Sequence, residues 1–365
     1  MASPDDLIRD RLVNHKLAGS ALRDPRDVVA WFGAVQAQDF PGAKWAVGLR
    51  TAAATDARVE GVFNGGAILR THVLRPTWHF VTAADIRWLV ALSGPRLLSR
   101  LAYRYRQLEL DRRTIAKSGA TLERVLSKAE LTRREIATAL ERAGIPITPE
   151  RTSHLLMIAE LEGRICSGPL RDRQLTYALM DRRVPPADPP GREEMLARLA
   201  DRYFRSHGPA TLADFCWWSG LTVRDATTAL AAAGSTLSTD TRHPGSYRHS
   251  DGGRRTRAAT AAWLLPNFDE YLVAYRHRAA ILAGDHVDPA DALASTVVVD
   301  GRAVGTWRLR RDEDSLTVSV AAWRLLSRTE LDRIAAAAAR YGAFVGRPVT
   351  FERPPRSGQR SRRSG

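Results

Sequence analysis

Lysine, cysteine and long apolar runs are all scarce in this chain of 365 residues, and each scarcity excludes a class of protein. The two cysteines, Cys166 and Cys216, cannot build a disulfide framework, and no Cys-x-x-Cys pair is present to bind zinc. No apolar run reaches the roughly 18 residues of a membrane-spanning helix, and the first residues lack the apolar core of a secretory signal. We therefore expect a cytoplasmic protein without membrane contacts.

Positive charge is in excess, with a net charge of +15. A surplus of this size favours a polyanionic partner, because each cation that meets a phosphate releases a condensed counterion. Only four of the 55 basic residues are lysines, and arginine suits bidentate contacts with phosphate and with guanine. An Ala- and Arg-rich composition is also what a GC-rich genome encodes. The net charge thus indicates a nucleic-acid partner, whereas the preference for arginine is mostly codon bias.

A pattern of helices followed by a hairpin occurs three times along the chain. It is clearest at 116–184, where helices are predicted to begin at Thr121, at the capping box of Thr132 and Glu135, and at Thr148 before a hairpin. Three helices and a hairpin make a winged helix, a helix-turn-helix variant that often binds DNA. The other two copies are predicted at 1–115 and 193–265, and a proline-rich linker at 181–192 precedes the third.

The first and third copies are predicted in less regular form. The first uses helices near 5–17, 25–36 and 55–63 and a hairpin at 68–81. The third begins its central helix at a capping box of Thr211 and Asp214, and its wing extends over 236–265.

After residue 265 the pattern changes to strands. Asp300 and Gly301 suit the type I′ turn of a hairpin, and further strands are predicted at 316–320 and 349–352 around a helix at 328–342. These elements predict a small, barrel-like β-rich subdomain at 266–352. From 353 to 365 the chain is predicted to be a disordered basic tail. The expected fold class is α+β, with three tandem winged helices and this subdomain.

Two glutamines, Gln36 and Gln38, stand where a helix is predicted to end. Asp24 is the predicted N-cap and Pro25 the first helical residue, and Pro41 with Gly42 is expected to prevent continuation. If the helix frays at Gln36, both amides can converge, because residues two apart share a face in an extended chain. By itself, the pair is also typical of an ordinary helix C-terminus.

Together with other segments, this motif resembles the AlkZ-type DNA glycosylases of the winged-helix superfamily, a family of antibiotic-producing actinomycetes. The other matching segments are 70–79, 203–211, 265–272 and 300–307. The last three are typical of the whole superfamily. The Gln-apolar-Gln motif is what distinguishes the AlkZ-like branch from relatives that carry an acid at the position of Gln38.

The resemblance implies three tandem winged helices bent into a C around duplex DNA. It implies a monofunctional DNA glycosylase that excises bulky or crosslinking N7-alkylated purines, including the unhooking of interstrand crosslinks made by the producer's own genotoxin. It also implies that Gln36 and Gln38 are the catalytic residues. We expect a nucleoid-associated monomer that requires no cofactor and no metal.

Two neutral amides suit this substrate. An N7-alkylated purine is already cationic and leaves as a neutral molecule, so the barrier is mainly the formation of an oxocarbenium-like sugar and the delivery of water. One glutamine carbonyl can face the developing positive charge, and another glutamine can orient the water. Since a crosslinked base cannot enter a snug pocket, we expect a shallow groove rather than base flipping.

Six residues are predicted to contact DNA, and these are Lys44, Arg75, His79, Arg248, Arg254 and Arg255. Lys44 fits a phosphate contact better than a Schiff-base lyase step. His79, like His72, is as consistent with a half-buried structural histidine as with a phosphate or lesion contact. Asp269 and Glu270 are interpreted as structural, with hydrogen bonds to backbone or arginine.

A non-catalytic winged-helix transcriptional regulator fits the charge and the fold equally well. The Gln-apolar-Gln motif is the feature that favours the enzyme, because it lies outside a recognition element and a regulator has no use for it.

Overall fold

Three segments of the chain share one order of elements in the computed structural model, which describes residues 4–250, 260–282 and 293–353. Helix α1 (Pro4–Asn14) precedes the first segment. The first segment contains α2 (Pro25–Phe32), β1 (Val35–Gln36), α3 (Phe40–Gly48), α4 (Asp56–Asn64), β2 (Ile68–His72) and β3 (Trp78–Thr82). Its strands form a sheet in the order β1-β3-β2, with antiparallel pairing throughout.

The long helix α5 (Ile86–Gln107) leads to the second segment, which repeats this order. Its elements are α6 (Arg112–Leu126), β4 (Leu131–Thr132), α7 (Arg133–Arg142), α8 (Pro149–Leu161), β5 (Ile165–Ser167) and β6 (Thr176–Leu179). The sheet order is β4-β6-β5, the same arrangement as in the first segment. The predicted capping box is confirmed, since the side chains of Thr132 and Glu135 each accept a hydrogen bond from the other's backbone N–H.

The short helix α9 (Met180–Arg183) and the proline-rich linker join the second segment to the third. The third contains α10 (Arg192–His207), β7 (Ala210–Thr211), α11 (Leu212–Ser219), α12 (Val223–Ala233), β8 (Leu237–Thr239) and β9 (Ser246–His249). The sheet order is again first-third-second, β7-β9-β8, and the predicted capping box of Thr211 and Asp214 is confirmed.

A five-stranded sheet with one long helix completes the described part of the chain. It contains β10 (Ala262–Leu265), the short helix α13 (Glu270–Val273), β11 (Thr296–Val299), β12 (Arg302–Arg311), β13 (Leu316–Ala322), α14 (Arg328–Val345) and β14 (Val349–Glu352). The strands lie in numerical order, and β14 pairs with β13 in parallel. Asp300 (φ 50°) and Gly301 (φ 84°) both have the left-handed backbone that the predicted type I′ turn requires.

Several predicted boundaries differ from the structure. The sequence predicts that the strand at 262–265 belongs to the third wing, but this strand pairs with β11. Its alternation of polar and apolar residues fits either sheet, and only the long-range pairing selects one of them. Helix α6 begins at Arg112, nine residues before Thr121, with Asp111 as its N-cap. The five-stranded sheet is open, with β10 and β14 at its two edges, and it is not the predicted barrel.

The buried apolar residues connect these segments in two main cores. One joins the first and third segments and includes Leu69, Tyr203 and Trp218. The other joins the opposite side of the first segment to the five-stranded sheet and includes Phe80 and Phe344. A Cβ at Gly48 would collide with the Phe344 ring, so a glycine allows α3 and α14 to pack closely. The first segment is therefore enclosed by parts of the chain that follow it by more than a hundred residues.

The fold is mixed α+β, as the sequence predicted. Among the described residues, no helix combines the length and the apolar character needed to cross a bilayer.

Candidate active site

The two glutamines lie on and just after the short strand β1. Helix α2 ends at Phe32, where Gly33 takes a left-handed conformation (φ 79°), so the chain is already extended at Gln36. Gln36 pairs with His79 of β3, and the N–H of Ala37 donates to the carbonyl of Trp78 at 2.7 Å. Strand β1 ends at Gln36, and Gln38 lies in the bend that precedes α3. Gln36 is therefore part of a strand and not of the frayed end of a helix.

The residues after the motif start a helix rather than prevent one. Helix α3 begins at Phe40, with Pro41 in its first turn, where the missing N–H of proline costs no hydrogen bond. The prediction that Pro41 and Gly42 would end a helix is therefore wrong. A Cβ at Gly42 would lie 2.6 Å from Asp39 Oδ2 and 2.9 Å from Asn267 Oδ1, so a larger residue would require these two side chains to move.

Gln36 is held at both its backbone and its side chain. Its backbone N–H donates to Glu270 Oε1 at 2.7 Å, and its side-chain Oε1 accepts from Arg75 Nη2 at 2.8 Å. Gln36 is only 8% exposed. The position and the orientation of this amide are therefore set by two groups of opposite charge.

Glu270 is buried and connects three parts of the chain. Its Oε2 accepts from the indole N–H of Trp218 at 2.9 Å and lies 3.4 Å from His207 Nε2. Burial alone would raise the pKa of Glu270, but His207, the Gln36 N–H and the charge of Arg75 together lower it. The carboxylate is therefore an anion next to β1.

A second arginine supports the motif from the other side. Arg70 Nε donates to the carbonyl of Ala37 at 2.9 Å, and its guanidinium lies 4.2 Å from the centre of the Trp78 ring. The backbone N–H of Arg70 donates to Ser167 Oγ of the second segment at 2.8 Å. Since Arg70 and Ser167 are both buried, these contacts fix the hairpin against β1.

Gln38 differs from Gln36 because it is exposed. Its Oε1 lies 3.4 Å from the backbone N of Trp78, a long and weak contact. The pair therefore consists of one buried, fixed amide and one amide open to the surroundings.

Lys44 is buried and cannot contact a phosphate as predicted. It is 6% exposed, and its ammonium group lies 2.9 Å from Asp56 Oδ2 and 2.8 Å from Glu60 Oε2. The prediction is corrected for a physical reason: two carboxylates from α4 neutralise this charge inside the protein.

His79 is also corrected, because it is completely buried in β3. Its Nδ1 lies 2.9 Å from the carbonyl of Thr77, and burial, together with the charge of Arg75, lowers its pKa to about 3. A neutral, enclosed imidazole cannot reach a phosphate. His72 is likewise buried and contacts Glu160 and the Trp78 ring.

The predicted DNA-contacting arginines have different placements. Arg75 is half-buried and bound to Gln36. Arg248 lies half-buried on β9 and has an interaction within the protein. Arg254 and Arg255 lie outside the described residues.

Asp269 and Glu270 bind backbone and arginine groups, as interpreted from the sequence. Asp269 forms a bidentate pair with Arg50, with distances of 2.8 and 2.7 Å, and caps α13. Sequence reasoning missed the contacts of Glu270 with Gln36 and Trp218. The one local signal is a pair of carboxylates inside an apolar segment, which indicates buried acids but not their partners. Among the described residues, no group of three or more His, Cys, Asp or Glu side chains is arranged to hold a metal ion.

Comparison with known proteins defines the class of this protein. The family model described as "DNA glycosylase AlkZ-like" matches residues 29–344. The solved structure of Streptomyces sahachiroi DNA glycosylase AlkZ has a similar fold, with a TM-score of 0.78 and 21% sequence identity over 96% of this chain and 100% of that chain. No curated protein sequence matches the chain.

The protein is therefore a DNA N-glycosylase, a hydrolase of DNA repair whose partner is DNA. The chain belongs to the AlkZ-like DNA glycosylase family.

Proposed function

We propose that this chain is a monofunctional DNA glycosylase that hydrolyses the N-glycosidic bond of bulky or crosslinking N7-alkylated purines in duplex DNA. The observation that carries the proposal is the arrangement of the two amides. Gln36 is fixed by Glu270 and Arg75, and Gln38, two residues further along the same segment, is exposed. Both are proposed as catalytic residues.

The chemistry of the substrate explains why uncharged groups suffice. Alkylation at N7 gives the base a positive charge, so the base departs without a proton donor. The remaining task is to stabilise an oxocarbenium-like sugar and to deliver water to its anomeric carbon. A carbonyl oxygen supplies partial negative charge, and an amide N–H can hold a water molecule. An undamaged nucleotide needs protonation of its base, so it is not a substrate for this pair.

The same reasoning supports a reaction without a lyase step. A Schiff base requires an uncharged amine near the sugar. Lys44 is the lysine nearest to the motif in sequence, and its ammonium group is paired with Asp56 and Glu60. We propose that the product is an abasic site with an intact strand.

For DNA binding we propose three winged helices, at 1–115, at 116–184 and from 193 to before the strand at 262–265, bent into a C around the duplex, and a separate β-rich subdomain that includes that strand and extends to 352. The repeated element order and the first-third-second sheet order support this assignment. A lesion read in a shallow groove of an intact duplex fits adducts too large to be flipped. The excess of 15 positive charges supports phosphate contacts along that surface.

The biological setting follows from the substrate class. We propose that the enzyme acts as a monomer in the cytoplasm, associated with the nucleoid, where it unhooks interstrand crosslinks and so protects its host from a genotoxic natural product.

The test uses a duplex with a single N7-methylguanine and a second duplex with a guanine–guanine crosslink through N7. Released base is measured by mass spectrometry, and abasic sites are measured as heat-labile breaks. We expect base release from both, and none from the undamaged duplex. Failure to release base from either duplex, with tight binding to one undamaged operator, would support the regulator and refute the proposed substrate.

A further inference from the structure

The guanidinium of Arg75 contacts the side chain of Gln36 rather than an open surface. Arg75 lies in the turn between β2 and β3, where its backbone N–H donates to the carbonyl of Val73 at 2.6 Å. The preceding carbonyl, of Leu74, accepts from Arg96 Nη2 at 2.6 Å. Arg96 thus fixes the turn, and the fold places the Arg75 side chain beside Gln36.

A guanidinium can only donate hydrogen bonds, whereas an amide has both a donor end and an acceptor end. The 2.8 Å contact with Arg75 Nη2 therefore requires that Gln36 turns its oxygen toward Arg75. The NH₂ group of Gln36 must then face away from Arg75. Glu270 holds the backbone of the same residue in place, so the amide cannot turn over without losing its hydrogen bond with Arg75.

The contact also changes the amide electronically. A positive charge at the carbonyl oxygen polarises the group and makes its N–H bonds stronger donors. A donor of fixed direction can hold a water molecule or an oxygen of the sugar-phosphate backbone at a defined place.

We propose that Arg75 is a positioning residue for excision, which orients Gln36, and that it is not a phosphate anchor. This inference rests on the proposed catalytic role of Gln36. It also assigns different tasks to the two amides: Gln36 acts through its NH₂ group, and the exposed Gln38 is the one whose carbonyl can turn to the developing positive charge.

The test measures single-turnover excision of N7-methylguanine, duplex affinity at several salt concentrations, and Tm for the variants Arg75→Ala and Arg75→Lys. The matched control is Arg183→Ala, which removes another half-buried arginine that donates to the first segment, at the carbonyls of Phe63 and Asn64. We expect Arg75→Ala to slow excision on the order of 10- to 100-fold, with duplex affinity and its salt dependence unchanged. Arg75→Lys, which keeps a donor, should recover part of the rate, and Arg183→Ala should excise at the wild-type rate.

A double-mutant cycle with Gln36→Ala decides whether Arg75 acts through the amide. In that background, Arg75→Ala should cause little further loss. A full additional loss would overturn the proposal, and so would a weaker affinity with a salt slope reduced by about one, which is typical of a lost phosphate contact. A slow Gln36→Ala variant with wild-type rates in both Arg75 variants rejects the positioning role alone. A wild-type rate in Gln36→Ala would instead reject the proposed function and the positioning role with it.

Discussion

The carboxylate of Glu270 accepts a hydrogen bond from the backbone N–H of Gln36 at 2.7 Å, although 234 positions separate the two residues. The neighbouring Asp269 pairs with Arg50, which in turn donates to the carbonyls of His15 and Ala46 at 2.8 Å. Two successive acids therefore attach the C-terminal part of the chain at two places: Glu270 to the strand with the proposed catalytic amide, and Asp269 to Arg50 just after α3. The variants below test the chemistry and the structure of this attachment.

Gln36→Ala and Gln38→Ala are each expected to slow single-turnover excision on the order of 10- to 1000-fold, because each amide is proposed to act on the transition state. The double variant should lose less than the product of the two, since both act on one transition state. Affinity for duplex DNA should hardly change. Near-normal excision by either single variant would remove that residue from the mechanism.

The excision rate is expected to lack a bell-shaped profile between roughly pH 6 and 9. Glutamine does not titrate in this range. Burial, first of all, lowers the pKa of His79 to about 3, so its imidazole stays neutral throughout. The pKa of Glu270 is held below its usual range by His207, Gln36 and Arg75 against the effect of burial, so it stays ionised. The measurement is the single-turnover rate across this range, with spontaneous base loss subtracted; an acidic or basic limb would point to a histidine or a carboxylate as proton carrier.

Asp269→Asn is expected to lower the free energy of unfolding by roughly 3–5 kcal/mol, because it leaves the buried Arg50 guanidinium without a counter-charge. Both side chains are almost completely buried. Urea denaturation measures the effect. The control is Glu150→Gln, which breaks the exposed pair with Arg104 and should cost about 0–1 kcal/mol. Equal stabilities for the two variants would show that the Asp269 pair contributes no more than a surface ion pair.

Binding to undamaged duplex is expected to weaken by roughly 10³-fold between 50 and 200 mM salt if about six phosphates are neutralised. Replacing Arg248, Arg254 and Arg255 together by alanine should flatten this dependence and weaken binding to all sequences alike, since phosphate contacts carry no sequence information. Fluorescence anisotropy on several unrelated duplexes measures both. A salt-resistant preference for one undamaged sequence would instead favour a regulator.

Features set by local chemistry could be predicted from the sequence. Asp24 caps α2, and Pro25 is its first residue, because the fixed φ angle and the missing N–H of proline suit the start of a helix. The capping box at Thr132 and the turn at Asp300 likewise follow from the side chains at those positions. For the segment with Gln36 and Gln38 the local prediction was partly wrong, because the predicted helix extended to residue 36 whereas α2 ends at Phe32 and Gln36 lies on a strand.

Features set by distant contacts could not be predicted. The strand β10 has no local property that selects the five-stranded sheet over the third wing. Lys44 of α3 forms ion pairs with two carboxylates of α4. The sequence does not show that these two helices face each other. The partners of Glu270 come from β1, α10 and α11, so neither spacing nor composition could reveal them.

The core shared by the first segment and the five-stranded sheet has a consequence for the synthesis of the protein. Phe80 and Phe63 pack in one cluster with Val318 and Phe344, which leave the ribosome more than two hundred residues later. Long-range contacts of this kind form slowly, because loop closure comes before the contacts that stabilise it. A nascent chain that ends before β10 lacks Glu270 and one side of this core. The hydrogen bond that holds the strand with Gln36 therefore forms only after residue 270 has been synthesised.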